Sequence, residues 1–271
     1  MPELPEVETT RRGVAPVLTG RTVSTVTIRN RRLRLPVPRN LPLDLTGLRL
    51  HAVTRRAKYL LFRFAPGTLL VHLGMSGNLR VVPPETALKK HDHVEIIFDS
   101  QHSLRFHDPR RFGLILWTER PAENHRLLRH LGPEPWDAVF DGAYLHRRAA
   151  GRRAAVKNFV MDGRIVVGVG NIYASEALHR AGVHPNRAAG RVSLERYGRV
   201  AAAVRSVLEE ALAAGGTTLR DFLKSDGEPG YFRAQLEVYG RAGESCRCGR
   251  GVIRQRRISQ RASFYCPHCQ R

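Results

Sequence analysis

The spacing of hydrophobic residues changes partway along the chain, and this change limits the possible folds more than any other feature. From about Arg21 to Trp117, short runs rich in β-branched and aromatic residues are separated by Gly, Pro, Asn and Asp, which is typical of strands joined by turns. A stretch rich in Pro, Gly and Asp at 131–142 ends this pattern. Beyond it, apolar residues recur at helical spacing. We therefore predict a β-sandwich followed by a mainly helical domain.

Apolar residues at helical spacing predict one helix at 3–18 and another that ends at Gly215–Gly216. Their apolar stripes are Leu4, Val7, Val14, Ala15 and Leu18 in the first helix, and Val200, Val204, Val207, Leu208, Ala211 and Leu212 in the second. A capping box, Thr218-x-x-Asp221, predicts a further short helix.

The chain carries a large excess of positive charge. Its 271 residues include 45 Lys and Arg against 24 Asp and Glu, a net charge of +21 with neutral histidines. This charge indicates a polyanionic partner, and DNA, RNA, a ribosome or an anionic membrane surface all fit it. The opening MPELPEVETT does not have the pattern of a signal peptide, and no window approaches the roughly 18 apolar residues of a membrane-spanning helix. Since an amphipathic basic helix is also not found, we expect a cytoplasmic chain with no membrane partner.

All four cysteines lie near the C-terminus. In a reducing compartment such a cluster favours metal ligation over disulfides. Cys266 and Cys269 keep the C-x2-C spacing of zinc modules, whereas Cys246 and Cys248 are one residue closer, and Ser245 stands where the pattern has a cysteine. We expect the four cysteines to hold one structural Zn²⁺, with His268 as an alternative ligand.

The residue after Met1 is a proline, and removal of Met1 would leave its secondary amine as the chain terminus, beside the carboxylates of Glu3 and Glu6. An α-amino group titrates near pKa ~7.7 to 8.0 against ~10.4 for lysine, so more of it is a neutral nucleophile. Attack on a sugar C1′ would give an iminium, expel the base and acidify C2′, and a nearby carboxylate would move the protons. On spacing alone, the simpler interpretation is that Pro2 starts a helix whose dipole the glutamates satisfy.

Seven segments carry a resemblance to a known family. They are PELPEVETTRRG at 2–13, RRAKYL at 55–60, HLGMSG at 72–77, DPRRFG at 108–113, GVGNIYASEAL at 168–178, SDGEPGYF at 225–232 and RASFYC at 261–266. Because these segments occur in this order along the chain, the chain resembles bacterial formamidopyrimidine-DNA glycosylases. The related endonuclease VIII branch shares the Pro2-Glu3 start but diverges directly after it, so PELPEVET favours the purine-directed branch.

The resemblance implies an α+β fold: an N-terminal helix and β-sandwich, then a helix-two-turns-helix domain with a C-terminal zinc finger. We expect the catalytic domain at 1–132, a linker at 133–155, the DNA-binding domain at 156–236 and the zinc finger at 237–271. The implied activity is that of a bifunctional glycosylase and AP lyase of base excision repair, acting as a nucleoid-associated monomer on damaged double-stranded DNA. It would excise oxidised purines through a Schiff base and then cut the strand by β,δ-elimination, with DNA in a basic cleft between the domains.

The family motifs also imply residue roles. Pro2 would be the nucleophile, Glu3 the acid/base, Lys58 a proton donor during elimination, and Arg261 a contact beside the lesion that assists the final elimination. A flipped base leaves a gap that must be filled, and the family motifs give this task to Met75, Arg110 and Phe112. Further implied DNA contacts are Glu6, His91, Arg152, Lys157 and Asn171. The segment 225–232 resembles the loop that closes over the lesion.

Two other functions remain open at this point. One is the same scaffold acting on oxidised pyrimidines, as in endonuclease VIII. The other is a non-enzymatic, zinc-bearing nucleic-acid-binding protein, in which Pro2, Glu3 and Lys58 would have no chemical role.

Overall fold

The computed structural model describes residues 2–216 and 235–271. The described residues up to Arg129, with 214–216, form one compact unit, and those from His130 to Ala213, with 235–271, form a second. Met1, the capping box at 218–221 and the predicted lid at 225–232 lie outside the described residues. The segment expected as a linker, 133–155, belongs to the second unit and contains a helix.

The first unit opens with helix α1, Leu4–Leu18, close to the predicted bounds. Its start is fixed by Glu6, whose carboxylate Oε2 accepts the backbone N–H of Glu3 at 2.8 Å, because this N–H would otherwise have no partner within the helix. Val7, Val14 and Leu18 face inward and join the core of the sheets. Burial of this apolar stripe holds the helix against the sheets.

Two four-stranded antiparallel sheets follow in the described part of this unit. The strands are β1 (Val23–Ile28), β2 (Leu50–Arg56), β3 (Tyr59–Phe64), β4 (Thr68–His72), β5 (Asn78–Val82), β6 (Asp92–Phe98), β7 (His102–His107) and β8 (Leu114–Thr118). The strand orders are β1-β6-β7-β5 and β2-β3-β4-β8, and a short helix α2, Leu41–Leu45, connects β1 to β2. Apolar side chains of both sheets form one core, so the predicted sandwich is confirmed.

The second unit contains the helices α3 (Gly142–Ala149), α4 (Val156–Met161), α5 (Asn171–Arg180) and α6 (Leu194–Ala213). Helix α6 buries the predicted stripe except Leu212, which is half-buried. The helix ends at Ala213, two residues before Gly215 and Gly216, whose φ values of 73° and 85° suit glycine. Helix α5 begins after Gly170, at the end of the glycine-containing loop that the sequence placed before a helix.

The C-terminal segment folds into a small module. Strands β9 (Arg254–Ile258) and β10 (Arg261–Tyr265) form an antiparallel hairpin. Ser259 and Gln260 make its two-residue turn, both at positive φ, which is the geometry of a tight hairpin turn. The module's small core contains Val238, Ile253 and Phe264 with cysteine side chains. In the described parts of both units, no helix combines the length and apolar character needed to cross a membrane.

Candidate functional site

The start of α1 brings together three of the residues predicted from the sequence. Pro2 is buried, Glu3 is 1% exposed and Glu6 is 0% exposed. Because Glu6 accepts the N–H of Glu3 and the hydroxyl of Thr10 donates to the carbonyl of Glu6 at 2.9 Å, the backbone next to Pro2 is held at two points. The start of the helix that follows Pro2 is therefore buried and held by hydrogen bonds.

Lys58 lies in the turn between β2 and β3, after Ala57, which adopts a positive φ of 55°. It is half-buried, and its charge contributes to lowering the pKa of His72. Burial is the largest cause, Arg34 also contributes, and together these three effects bring the His72 pKa from 6.5 to about 4. At neutral pH, His72 is therefore uncharged.

Two loops of the sandwich, 73–77 and 108–113, are built against each other. Gly74 has a φ of 68°, and a Cβ there would lie 2.4 Å from the backbone nitrogen of Gly113, so only glycine allows this approach. The Ser76 hydroxyl donates to Asp108 Oδ1 at 2.8 Å and accepts the N–H of Arg110 at 3.2 Å. The N–H of Gly113 donates to Asp108 Oδ2 at 2.8 Å. The carboxylate of Asp108 therefore joins the two loops.

The tips of these loops carry Met75, Arg110 and Phe112. Met75 is 37% exposed and Phe112 is 45% exposed, although both are large apolar side chains. The Arg110 guanidinium carbon lies 5.0 Å from the centre of the Phe112 ring, a cation–π geometry. The structure thus presents two apolar groups and one cation on loops that are joined together. We call these three residues the wedge.

His91 is close to the second of these loops, because its carbonyl accepts the N–H of Asp108 at 3.1 Å. Its half-buried ring lies 5.8 Å from the ring of His107. His107 contacts Asp92 through Nδ1 at 2.9 Å, but burial is the larger effect, so the pKa of His107 is lowered. These contacts place His91 near the wedge loops without making it part of the wedge.

In the second unit, Asn171 and Lys157 converge on the hairpin. Asn171 Nδ2, at the start of α5, donates to the carbonyl of Ala262 at 3.0 Å. Lys157 Nζ donates to the same carbonyl at 3.0 Å and to Ser263 Oγ at 2.9 Å, and the residue is 1% exposed. Both side chains therefore fix the position of β10, the strand that begins with Arg261.

Arg152 is exposed and is not part of this convergence. Its guanidinium lies 5.5 Å from the centre of the Phe159 ring, and its Nε donates to the carbonyl of Arg148 at 2.8 Å. The hairpin itself carries four exposed arginines, Arg254, Arg256, Arg257 and Arg261. Their density in ten residues makes the hairpin a strongly positive surface, which suits phosphate binding.

The four cysteine sulfurs lie within 4.8 Å of one another and form the one cluster in the described part of the chain suited to hold a metal ion. Cys246 and Cys269 Sγ are 3.8 Å apart, and Cys248 and Cys266 Sγ are 3.9 Å apart. A tetrahedral zinc ion with Zn–S bonds of about 2.3 Å requires S···S distances of about 3.8 Å. The sulfurs thus fit zinc despite the shortened Cys246-x-Cys248 spacing.

The alternative ligand His268 and the residue at the expected cysteine position, Ser245, both lie outside the cluster. Ser245 pairs with Val252 in an isolated bridge, and His268 is exposed outside the sulfur group. The backbone N–H of Arg250 donates to Cys248 Sγ at 3.5 Å, and this bond, with smaller contributions from the neighbouring cysteines, lowers the pKa of this thiol to about 7. Burial raises the pKa of Cys246 and Cys269. A lowered pKa favours the thiolate, which is the form that binds a metal.

The sequence analysis missed residues that support these sites. Ser76 and Asp108 join the wedge loops. Glu176 on α5 is 1% exposed and accepts the backbone N–H groups of Glu237, Val238 and Tyr239 at 2.8 to 3.0 Å, which anchors the start of the C-terminal module. The motifs DPRRFG and GVGNIYASEAL contain Asp108 and Glu176, but nothing in the sequence indicates their partners.

A helix on a β-sandwich, a second helical unit and a C-terminal module with four clustered cysteines are the features expected of helix-two-turns-helix DNA-repair glycosylases. The family models of the formamidopyrimidine-DNA glycosylase N-terminal domain and H2TH domain match residues 1–115 and 131–223. The chain belongs to the formamidopyrimidine-DNA glycosylase family. The expected family and the α+β fold are therefore confirmed.

Individual relatives agree over the whole length. The chain is 62% identical to the formamidopyrimidine-DNA glycosylase of Alkalilimnicola ehrlichii and 57% identical to that of Methylococcus capsulatus, with 100% of each chain covered. Among solved structures, the MutM (Fpg) protein from Thermus thermophilus is 36% identical with a TM-score of 0.89, covering 99% of this chain and 98% of that one. A Lactococcus lactis FPG mutant in complex with a Fapy-dG containing DNA is 29% identical with a TM-score of 0.93, covering 100% of both chains.

Proposed function

We propose that this chain is a bifunctional DNA glycosylase and AP lyase of base excision repair, which removes 8-oxoguanine and formamidopyrimidines from duplex DNA. The observation that carries the proposal is the start of α1, where Pro2 is buried beside Glu3 and the capping carboxylate of Glu6. The names of the relatives and the lesion in the Lactococcus complex support the purine substrate class. In this proposal the domain at 1–132 carries the chemistry, and those at 156–236 and 237–271 bind DNA.

In the first step, the Pro2 nitrogen, free after removal of Met1, attacks C1′ of the damaged nucleotide. A bond between nitrogen and C1′ forms as the glycosidic bond breaks, and the base leaves with the bonding electron pair and takes up a proton. The nitrogen loses its proton, the sugar ring opens, and an iminium links Pro2 to C1′. Glu3 moves these protons, because its buried carboxylate lies next to the nucleophile.

In the second step, the iminium acidifies C2′, and loss of a C2′ proton expels the 3′ phosphate by breaking the C3′–O bond. The conjugated iminium then acidifies C4′, and loss of the C4′ proton expels the 5′ phosphate by breaking the C5′–O bond. Water then hydrolyses the imine and restores the Pro2 amine. Lys58 supplies a proton during elimination, and Arg261 holds the phosphate backbone beside the lesion and assists the final elimination.

We further propose that the wedge fills the gap left by the flipped nucleotide. Met75 and Phe112 replace the lost stacking, and Arg110 offers hydrogen bonds to the unpaired partner base. His91, Arg152, Lys157 and Asn171 contribute to phosphate binding, directly or by positioning the hairpin, and Glu6 positions the N-terminus next to the DNA. One Zn²⁺ on the four cysteines would crosslink the hairpin's base, which is a structural role.

The test is borohydride trapping on a duplex with 8-oxoguanine opposite cytosine, followed by mass spectrometry to locate the crosslink. We expect an adduct on Pro2. Glu3→Gln should lower base excision by at least about 100-fold, as removal of a general acid/base does. Lys58→Gln should slow strand cutting more than trapping, whereas the matched control Lys90→Gln, at an exposed lysine, should leave both rates unchanged.

Three results would contradict the proposal. An adduct on a lysine would remove Pro2 as the nucleophile. Faster excision of thymine glycol than of 8-oxoguanine would move the chain to oxidised pyrimidines. Tight binding of lesion duplex without trapping or cutting, by protein shown to lack Met1, would support the non-enzymatic binding protein.

A further inference from the structure

A histidine of α5 lies against the four-cysteine cluster. His179 is 9% exposed, and its Nε2 is 3.5 Å from Cys246 Sγ. Cys246 itself is 3% exposed, so water has little access to its sulfur. A donor for this sulfur must therefore come from the protein.

The chemistry of a metal-bound cysteine fixes the direction of this contact. A cysteine that binds zinc does so as a thiolate, which has no proton to donate. Nε2 of His179 must then carry the hydrogen and donate it to Cys246 Sγ. Hydrogen bonds from outside the ligand set hold the ligand atoms in place and tune their electron density.

The other side of the imidazole ring faces a carboxylate. His179 Nδ1 lies 3.3 Å from Glu237 Oε2. Glu237 is itself flanked by Arg180 Nε at 3.4 Å and Arg247 Nη1 at 3.6 Å. The imidazole ring of His179 thus lies between a sulfur and a carboxylate, and two cations hold the carboxylate. These contacts restrict rotation of the ring.

We propose that His179 is a positioning residue for the metal site: its Nε2–H donates to Cys246 Sγ and fastens the cysteine cluster to the end of α5. The proposal rests on zinc binding by the four cysteines, as proposed above. The start of the same helix is also tied to the C-terminal module, because Asn171 donates to the Ala262 carbonyl. With the hydrogen bond of His179, helix α5 therefore contacts the C-terminal module at two points, one near each end of the helix.

Metal affinity measured by competition with a chromophoric chelator tests this role in the full-length protein. His179→Phe keeps a ring of similar size without a donor, and we expect its zinc affinity to fall about 10-fold or more. His179→Gln retains an N–H donor and should stay within about threefold of the unmodified protein. The matched control is His268→Gln, at an exposed histidine that lies between two of the cysteines and outside their cluster.

A spectroscopic readout separates hydrogen bonding from packing. With Co²⁺ in place of zinc, the thiolate-to-cobalt charge-transfer band should shift in His179→Phe and remain in place in His179→Gln, since only the first loses the N–H···S bond. Circular dichroism checks that each variant is folded. If His179→Phe does not fold, His179→Leu supplies a second replacement without a hydrogen-bond donor. Loss of folding in both of these variants, together with normal folding of His179→Gln, supports the proposal.

Two outcomes overturn the role of His179. Normal zinc affinity and an unshifted cobalt band in His179→Phe would show that the bond contributes nothing. Equal loss in His179→Phe and His179→Gln would show that the ring acts by packing. If the unmodified protein bound neither ion, zinc binding itself would be wrong, which is a different result from either of these.

Discussion

His72 is a buried base whose neutral form depends on its surroundings. Burial and the nearby charge of Lys58 lower its pKa to about 4, while in the unfolded chain it titrates near 6.5. Its Nδ1 accepts the N–H of Gly74 at 2.9 Å, a bond that requires this nitrogen to be unprotonated. Because the folded pKa is below the unfolded one, protonation favours unfolding. The stabilisation is complete above pH 6.5 and is lost as the pH falls towards 4.

We expect this residue to make folding stability fall by about 2 kcal/mol between roughly pH 7.5 and pH 5.0. Urea unfolding of the unmodified protein and of His72→Gln at both pH values isolates the contribution, since glutamine keeps an acceptor but does not titrate. The pH dependence should be smaller in the variant by that amount. His51→Gln, at an exposed histidine, is the control. An equal pH dependence in all three proteins would show that His72 does not carry it.

Ser76 is the second residue whose contacts permit a quantitative expectation. Its hydroxyl donates to buried Asp108 and accepts from the backbone of Arg110. Ser76→Ala leaves a buried carboxylate oxygen and an N–H without this partner, so we expect a loss of about 1–3 kcal/mol in the free energy of unfolding. Ser24→Ala, where the hydroxyl accepts an exposed N–H, should cost less.

The same substitution also tests the wedge. If the Ser76–Asp108 bond positions Met75 and Phe112, Ser76→Ala should slow excision of 8-oxoguanine more than cutting of a duplex with a preformed abasic site, which has no base to expel. Single-turnover rates on the two duplexes give this comparison. Equal slowing on both would mean that the substitution reduces only the amount of folded enzyme.

At the scale of elements, Glu176 connects α5 to the start of the C-terminal module. One buried carboxylate accepts three consecutive backbone N–H groups, at 237–239. Glu176→Ala leaves all three without this acceptor, and at about 1–3 kcal/mol for each buried donor we expect a large loss of stability. Glu176→Gln keeps one oxygen and should be milder.

Amide hydrogen exchange provides the direct measurement. Residues 237–239 should exchange faster in Glu176→Gln than in the unmodified protein, while the strands of the sandwich, which belong to the other unit, keep their rates. Glu195→Gln, at an exposed glutamate of α6, is the control. Unchanged exchange at 237–239 would show that other contacts hold this segment.

The elements that the sequence predicted are those with a regular pattern. Within the stretch from Arg21 to Trp117 that predicts strands, the runs of β-branched and aromatic residues at 22–28, 58–64, 68–74, 93–98 and 114–117 all fall on observed strands. The sequence analysis did not single out β2, in which a bulge between Leu50 and Ala52 breaks the alternation of buried residues. Strands β5 and β7 were not singled out either. The buried face of β7 includes Ser103 and Arg105, because both pair with Glu95 of β6.

Candidate chemical residues could be named from the sequence where a motif is continuous, as at Pro2-Glu3 and in the cysteine pairs, and their chemical roles stay predictions. The contacts that support these residues could not be predicted, because the two residues of each contact are far apart along the chain. Ser76 and Asp108 are separated by 32 residues, Glu176 and Val238 by 62, and His179 and Cys246 by 67. Such pairs form only when the tertiary fold brings them together, and a single sequence contains no local pattern for them.

For the molecule as a whole, the charge of +21 predicts strong and salt-dependent binding to any duplex. Each phosphate contact that is lost should reduce the slope of log affinity against log salt by about 0.9. We expect a triple glutamine variant of Arg254, Arg256 and Arg257 to lower the slope by about 2 to 3 on undamaged DNA. Fluorescence anisotropy of labelled DNA over a salt range of roughly 50 to 200 mM measures this slope.

A charge-matched control distinguishes location from total charge. Replacing the exposed Arg120, Arg126 and Arg199 by glutamine also removes three charges, but none of these residues is in the hairpin. In this control variant, the slope of log affinity against log salt should change much less than in the hairpin variant. Equal slopes in the two triple variants would show that binding follows net charge and that the hairpin has no special role.

The close approach of Gly74 to Gly113 has a consequence for how the protein matures. These glycines are far apart in the sequence, and each belongs to a loop that flanks a strand of one sheet. Contacts between distant positions form late, because the chain must first close a long loop. The arginines, by contrast, are charged from the moment of synthesis. A newly made chain can therefore be attracted to nucleic acid before its two loops have met, and the role proposed for the wedge becomes possible only when the sandwich has closed.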